Sequence, residues 1–128
     1  MKTLVVVLSL WIGSVAVPAQ PAFSQDLSSQ WQAPASAASR KNPLAGKPQL
    51  AAGGAKVFER NCSVCHGDAA GREAHKAPDL ASAATQAQSD GALFWKITNG
   101  NLRTGMPGWS NIPEPQRWQL ILYIRSLK

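Results

Sequence analysis

The segment Cys62-Ser63-Val64-Cys65-His66-Gly67 contains both cysteines of this 128-residue chain and one of its two histidines. In a helical turn, residues three apart share a face, so Cys62 and Cys65 lie on one side of the backbone. His66 follows at the next position. The spacing therefore predicts two thiols and one imidazole gathered at a single turn, and we expect the chemistry of the chain there.

The pattern C-x-x-C-H is the attachment signature of c-type haem. With this spacing, Cys62 and Cys65 can both reach the two vinyl groups of one porphyrin, and His66 is turned toward the iron. Imidazole is a suitable iron ligand, and two thioether bonds prevent the haem from dissociating. The sequence predicts one haem c per chain, covalently attached through Cys62 and Cys65 and ligated by His66.

Other interpretations of the two cysteines stay open at this point. A thioredoxin-like dithiol is disfavoured because the chain shows no strand-helix-strand alternation around residue 62. A structural zinc site needs four ligands, for which the candidates are Cys62, Cys65, His66 and His75. A disulfide between the cysteines would close a very short loop and stabilise little by chain entropy.

Residues 1–24 look like a secretory signal, with Lys2 ahead of an apolar stretch of 14 residues at positions 4–17. That stretch is shorter than the roughly 20 residues of a membrane-spanning helix. Cleavage before Gln25 is predicted, with an earlier cut near Pro18 and an uncleaved anchor as alternatives. We expect a periplasmic or otherwise exported protein with no membrane span after signal removal.

Residues 25–48 are rich in Ala, Ser, Pro and Gln and have no apolar period. This composition predicts a flexible tail or linker in which Trp31 is exposed rather than docked. The net charge is +6, but from residue 50 onward nine Lys and Arg stand against six Asp and Glu. The basic residues are scattered, so nucleic-acid binding is not expected. Residues 49–128 form the predicted compact domain.

Three helices are predicted in that domain, at about 50–61, 89–98 and 113–127. Ser89 and Asp90 are candidate caps for the second helix, and no segment alternates with period two for long enough to indicate a sheet. We predict an all-α fold of three to five helices around one haem. The apolar positions are Gly54, Val57 and Phe58 in the first helix, Leu93, Phe94 and Ile97 in the second, and Trp118, Leu120, Ile121, Leu122, Tyr123, Ile124 and Leu127 in the third.

Over about residues 50–128 the chain resembles the class I cytochromes c, the small all-helical monohaem carriers of bacteria and mitochondria. Gly54 and Phe58 match the glycine and aromatic residue of the first helix in that family. Leu120 and Tyr123 match the pair on the last helix against which they pack. The resemblance implies an exported cytochrome c with one histidine and one methionine on the iron.

The resemblance also implies roles for two loops. Pro78 and Leu80 match the family's proline loop, whose backbone carbonyl accepts the second ring proton of the proximal histidine, here His66. Met106 stands between the second and third predicted helices, where the family places its axial methionine. A packing role for Met106 and ligation by His75 are alternatives.

A histidine-methionine pair raises the reduction potential and leaves no open position on the iron. The resemblance therefore implies an electron carrier rather than an enzyme, shuttling between redox enzymes outside the cytoplasm. It would dock transiently through the haem edge near Cys62 and Cys65, and we expect a monomer. Alternatives are a haem enzyme or small-ligand sensor in which Met106 is displaceable, and an electron-transfer subunit of a dehydrogenase complex.

Several aromatic and basic side chains are further candidates for haem contacts. Trp95, Trp109 and Trp118 are predicted to line or cover the haem pocket, and packing is favoured over electron relay because large rings dominate small cores. The indole N–H of Trp109 and the cations of Lys96 and Arg103 are candidate partners of the haem propionates.

Overall fold

The structure, a computed structural model, describes residues 31–68 and 77–127. Its regular elements are helices, and within the described residues extended pairing is limited to one bridge between Asn101 and Met106. The predicted all-α class is therefore confirmed, with three longer helices and three single turns. In chain order they are α1 Ala35–Ala38, α2 Ala51–Asn61, α3 Ser63–His66, α4 Ala83–Gln86, α5 Asp90–Asn99 and α6 Glu114–Arg125, with 3₁₀ turns at Pro48–Leu50 and Leu102–Thr104.

Helix α2 leads directly into the cysteine motif. Gly54, Val57 and Phe58 are its buried residues, as the apolar spacing predicts. At its end, the Asn61 side chain donates a hydrogen bond to the Val57 carbonyl at 2.8 Å. Cys62 leaves the helical conformation with φ −121°. The predicted break before the first cysteine is thus present.

Helix α5 has the predicted caps. The Ser89 hydroxyl accepts the Ala92 N–H at 3.1 Å, and Asp90 lies in the first turn, where a negative charge is favourable. Leu93 and Phe94 are buried on its apolar face. The helix ends at Asn99, and Gly100 is its C-cap residue.

Helices α2 and α6 cross with their backbones in direct contact. A Cβ atom added at Gly54 would meet the Gln119 carbonyl and lie 2.9 Å from the Leu120 Cα. Beside this contact the rings of Phe58 and Tyr123 pack at a tilt of 50°, with centroids 5.1 Å apart. The four positions that carry the family resemblance in these two helices therefore meet at one crossing.

The core lies between α2, α5 and α6. Leu120 and Ile121, two of the apolar positions predicted for the third helix, are almost wholly buried. A second group of apolar side chains packs on this core but stays partly exposed. That group consists of Leu44, Cys62, Leu80, Met106, Trp109 and Tyr123.

Residues 31–48, here called the N-terminal strap, pack against α5 and α6, unlike the predicted flexible tail. The indole N–H of Trp31 donates to the Gly100 carbonyl at 2.9 Å, so Trp31 is docked and its predicted exposure is wrong. Asn42 is buried and donates to the Trp118 carbonyl at 3.2 Å. These attachments are polar side chains bonded to backbone, which leave no apolar period in the sequence.

Arg40 gives the strap a second type of attachment. Its guanidinium carbon lies 4.8 Å from the centroid of the Phe94 ring and 5.2 Å from that of Trp118. Its Nη2 lies 2.7 Å from a carboxylate oxygen of Glu114 at the start of α6. The charge of Arg40 therefore belongs to the folded structure and not to a flexible tail.

Some predictions fall on residues outside the described ranges. They concern the signal at 1–24, the first part of the tail at 25–30, and His75. The domain boundary at residue 49 also stays a prediction. Among the described residues, no helix has both the length and the apolar character needed to cross a membrane.

Candidate haem site

The cysteine motif forms a single helical turn at the end of α2. The N–H groups of Cys65 and His66 donate to the Cys62 carbonyl at 3.1 and 2.9 Å. Cys62 is half-buried against the core and Cys65 is exposed, and both thiols are free. The two thiols and the imidazole therefore share one turn at the surface of the core, as the spacing predicts.

His66 is oriented by the loop that contains Pro78. Its Nδ1 lies 3.0 Å from the Pro78 carbonyl oxygen. Because a carbonyl only accepts, Nδ1 carries the proton, and in the neutral ring the lone pair is on Nε2. This is the contact that the resemblance implies, and it leaves the lone pair of Nε2 available for a metal ion.

The loop that holds His66 is itself held by side-chain hydrogen bonds. Asp79 accepts the Ala81 N–H at 2.8 Å. The Gln86 amide donates to the Leu80 carbonyl at 2.8 Å and to the Ile124 carbonyl at 2.9 Å, which ties the loop to α6. Sequence reasoning missed Gln86, since a lone glutamine in a polar stretch has no distinguishing pattern.

Met106 lies in the loop that joins α5 to α6. It exchanges two backbone hydrogen bonds with Asn101, of 2.8 and 3.0 Å, and its side chain packs partly buried on the core. Past the bridge, the Trp109 N–H donates to the Ile97 carbonyl at 2.9 Å. The segment from Gly100 to Trp109 is here called the Met106 loop. Backbone hydrogen bonds close it between Asn101 and Met106 and fix its last residue, Trp109, to α5. Asn101 was not identified from the sequence.

The predicted aromatic residues occupy different surroundings. Trp109, the last residue of the Met106 loop, packs partly buried on the core. Trp118 is 2% exposed and stacks on Phe94 with ring centroids 4.0 Å apart. Trp95 borders a cleft that the strap residue Arg40 also lines. Trp118 and Trp95 thus pack with strap residues, which agrees with a packing role but gives no support to the prediction that they line the haem pocket.

The two basic candidates also differ. The Lys96 ammonium lies 4.8 Å above the Trp31 ring, and burial lowers the pKa of this group. Lys96 is therefore engaged with the strap through a cation-π contact. Arg103 lies in the 3₁₀ turn of the Met106 loop and is exposed.

The surroundings of Cys62 argue against a redox-active dithiol. Burial raises the pKa of the Cys62 thiol to about 11, with a smaller contribution from Cys65. A redox-active dithiol needs the opposite shift, because the thiolate is the nucleophile. Within residues 31–68 and 77–127 no group of three potential metal ligands occurs among His, Cys, Asp and Glu side chains.

The residues present fit a covalent haem. Cys62 and Cys65 are free and adjacent, and His66 has one ring nitrogen committed to Pro78 and the other available. Partly exposed apolar side chains on the same core, including Leu80 and Met106, offer the surface that a porphyrin would cover. When bound, a c-type haem supplies an iron that changes oxidation state by one electron.

Comparison with known proteins agrees with this chemistry. A protein-family model described as cytochrome C oxidase, cbb3-type, subunit III matches residues 49–124. A similar protein, the Cbb3-type cytochrome c oxidase subunit FixP of Bradyrhizobium sp. (strain ORS 278), is 42% identical over 81 residues. The match covers 60% of this chain and 27% of that protein, so the chain spans about a quarter of its relative. No solved structure matches the chain. The chain belongs to the cbb3-type cytochrome c oxidase subunit III family, whose c-type cytochrome domains bind a haem iron covalently and transfer electrons.

Proposed function

We propose that this protein is a single-electron carrier whose haem is attached through Cys62 and Cys65 and ligated by His66 and Met106. The observation that carries the proposal is the contact between His66 Nδ1 and the Pro78 carbonyl. That contact sets the tautomer and the ring plane, so that Nε2 is available to iron at the same turn as the two thiols.

Met106 is proposed as the second axial ligand because of the way its loop is built. The paired hydrogen bonds with Asn101 hold the backbone on both sides of the residue. Its thioether is a soft ligand that stabilises ferrous iron and raises the reduction potential. If His66 and Met106 both bind the iron, no position on it would be open to a substrate, which favours electron transfer over catalysis.

Leu80 and Trp109 are proposed to complete the haem pocket. Both side chains pack on the core and stay partly exposed. Leu80 would contribute an apolar wall beside the proline loop. Trp109 would contribute its ring to the pocket and its indole N–H to a haem propionate, because an indole N–H requires an acceptor when it is covered.

We infer that partner redox proteins dock at the turn that carries the cysteines. Val64, between the two cysteines, is 84% exposed, and Cys65 beside it is also exposed. A small apolar rim of this kind suits the low-area, transient contacts of electron-transfer pairs. We propose that the protein works as an exported monomer, consistent with the leader predicted at residues 1–24.

The test is the absorption spectrum of the full chain, made with haem-maturation machinery, in both oxidation states and with carbon monoxide. We expect a covalent low-spin haem with a weak far-red sulfur-to-iron band and no change with carbon monoxide. Met106→Ala should lose the band, whereas Leu102→Ala should keep it, because Leu102 lies in the same loop and is 82% exposed. Carbon monoxide binding to the unmodified protein would contradict the proposal and favour a small-ligand sensor.

A second candidate is a permanent electron-transfer subunit of an oxidase. The similarity to a protein named as a subunit of a cbb3-type cytochrome c oxidase favours it. The two candidates share the haem site and differ in the lifetime of the partner complex. Purification of the tagged protein from its native membranes and periplasm separates them: stoichiometric co-purification with oxidase subunits supports the second, and a monomer free of partners supports the first.

A further inference from the structure

The base of the Met106 loop is the place where the backbone of Gly100 comes close to the backbone of Pro107 and Gly108. A Cβ atom at Gly100, whose φ is +66°, would lie 2.6 Å from the Pro107 carbonyl oxygen and would also meet the Gly108 N. The chain therefore enters and leaves the loop at one place, next to the end of α5. Anything that displaces Gly100 also displaces the residue that follows Met106.

Trp31 of the N-terminal strap is bonded to this base. Its indole N–H donates to the Gly100 carbonyl at 2.9 Å, across 69 positions of sequence. The N–H of Gly100 is already committed to the Lys96 carbonyl at 2.8 Å. Gly100 is thus held from the helix on one side and from the strap on the other, immediately before Asn101 pairs with Met106.

Trp31 is itself fixed in place. The Lys96 ammonium lies 4.8 Å above its ring. Farther along the strap, the Ser89 hydroxyl donates to the Ala38 carbonyl at 2.6 Å. The Trp31 ring has little rotamer freedom, because it is half-buried, its N–H is hydrogen-bonded and a cation lies above its face. It can therefore restrain the Met106 loop.

We propose that Trp31 is a positioning residue for Met106: its hydrogen bond to Gly100 keeps the Met106 loop closed and the thioether in place. This inference rests on the proposed ligation of the iron by Met106. The hydrogen bond from Trp31 stabilises only the closed loop. Its loss therefore lowers the free energy needed to open the loop. An external ligand that competes with Met106 then binds more tightly.

The test uses the haem-loaded full chain with Trp31→Phe, which keeps a ring under Lys96 and removes the N–H donor. We expect imidazole to bind the ferric protein roughly fivefold more tightly, the factor that one net hydrogen bond allows. The far-red sulfur-to-iron band should be lost at a lower pH. Hydrogen exchange of the Asn101 and Met106 amides in the ferrous protein should be faster by a similar factor.

The matched control is Arg40→Gln, which weakens the strap at its α6 end without touching the Met106 loop. It should lower the denaturation midpoint and leave imidazole affinity unchanged. Lys96→Gln, which removes the cation but not the N–H, should shift imidazole affinity in the direction of Trp31→Phe by a smaller factor.

The inference is overturned if Trp31→Phe binds imidazole within twofold of the unmodified protein, or if Arg40→Gln raises the affinity equally. Failure of the proposed function has a different signature. In that case the unmodified protein itself lacks the far-red band, and Met106→Ala changes nothing.

Discussion

The crossing of α2 and α6 and the N-terminal strap both join distant parts of the chain, but by different physics. At the crossing, Gly54 lets two backbones touch, and the rings of Phe58 and Tyr123 pack beside it. The strap is attached by side chains bonded to carbonyls and by the Arg40 cation against aromatic rings. The crossing depends on shape and apolar burial, whereas the strap depends on individual polar bonds, so the two should respond differently to mutation.

The largest expected effect tests whether the crossing is stable without haem. Cys62→Ala combined with Cys65→Ala removes both attachment points, and the partly exposed apolar side chains around Cys62 lose their cover. A domain this small has a thin core, so we expect a largely unfolded chain. Far-UV circular dichroism measures this. Native-like helicity in the double variant would show that the helices complete their core alone.

The next largest effect is expected from Gly54→Ala, which disrupts the crossing of α2 and α6 directly. In Gly54→Ala the new methyl group would meet the Gln119 carbonyl, and backbone cannot rotate away. We expect a loss of about 3 kcal/mol or more in the free energy of unfolding, at the upper end of overpacking costs. Denaturant titration of the haem-loaded protein measures it.

The control for that variant is Gly53→Ala in the same helix. Its methyl group would meet the Gln119 side-chain Oε1 and lie 3.0 Å from Cδ, but this flexible side chain can move aside. Alanine also favours the helix by about 1 kcal/mol over glycine. The free energy of unfolding should therefore change little, and equal losses in both variants would argue against backbone contact as the cause.

A smaller effect tests the strap. Asn42 donates to the Trp118 carbonyl and accepts the Leu44 N–H at 2.9 Å, so Asn42→Ala leaves two groups without these partners. We expect a loss of about 2 kcal/mol in the free energy of unfolding. Ser39→Ala removes an exposed bond within the strap and should cost less than about 0.5 kcal/mol. An unchanged free energy of unfolding in Asn42→Ala would mean that the strap adds nothing to global stability.

The smallest effect is the pH dependence of the stability that the ion pair between Arg40 and Glu114 contributes. Hydrogen bonds from Trp118 and Arg40 lower the pKa of Glu114 below its ordinary value. A lowered folded-state pKa stabilises the protein above the unfolded pKa, and the gain is lost as pH falls through the folded value. The stability difference between the unmodified protein and Glu114→Gln should be largest near neutrality and shrink below about pH 4. A pH-independent difference would contradict this assignment. In an Arg40→Gln background the difference should become smaller but persist, because the bond from the Trp118 indole N–H to Glu114 remains.

The helices and the cysteine turn could be predicted because their causes are local. The periodic apolar residues of α2 and α5, the Ser89 cap and the Cys62-to-His66 spacing all act within one or two turns. The contact between His66 and Pro78 could be expected only through resemblance to a family. Gln86, which ties the proline loop to α6, and Asn101, which pairs with Met106, have no local signal and were missed.

The chemistry of the chain could be predicted from the cysteine turn, because covalent attachment needs only two cysteines and a histidine in one turn. That Trp31, Arg40 and Asn42 belong to the folded domain is visible only in the three-dimensional structure. The carbonyls and aromatic rings that these three side chains contact lie 54 to 78 positions away in the sequence. Single polar contacts of this kind leave no periodic pattern in the sequence. A carbonyl or an aromatic face becomes a binding partner only after the helices have placed it, so such contacts exist in the fold and not in the sequence.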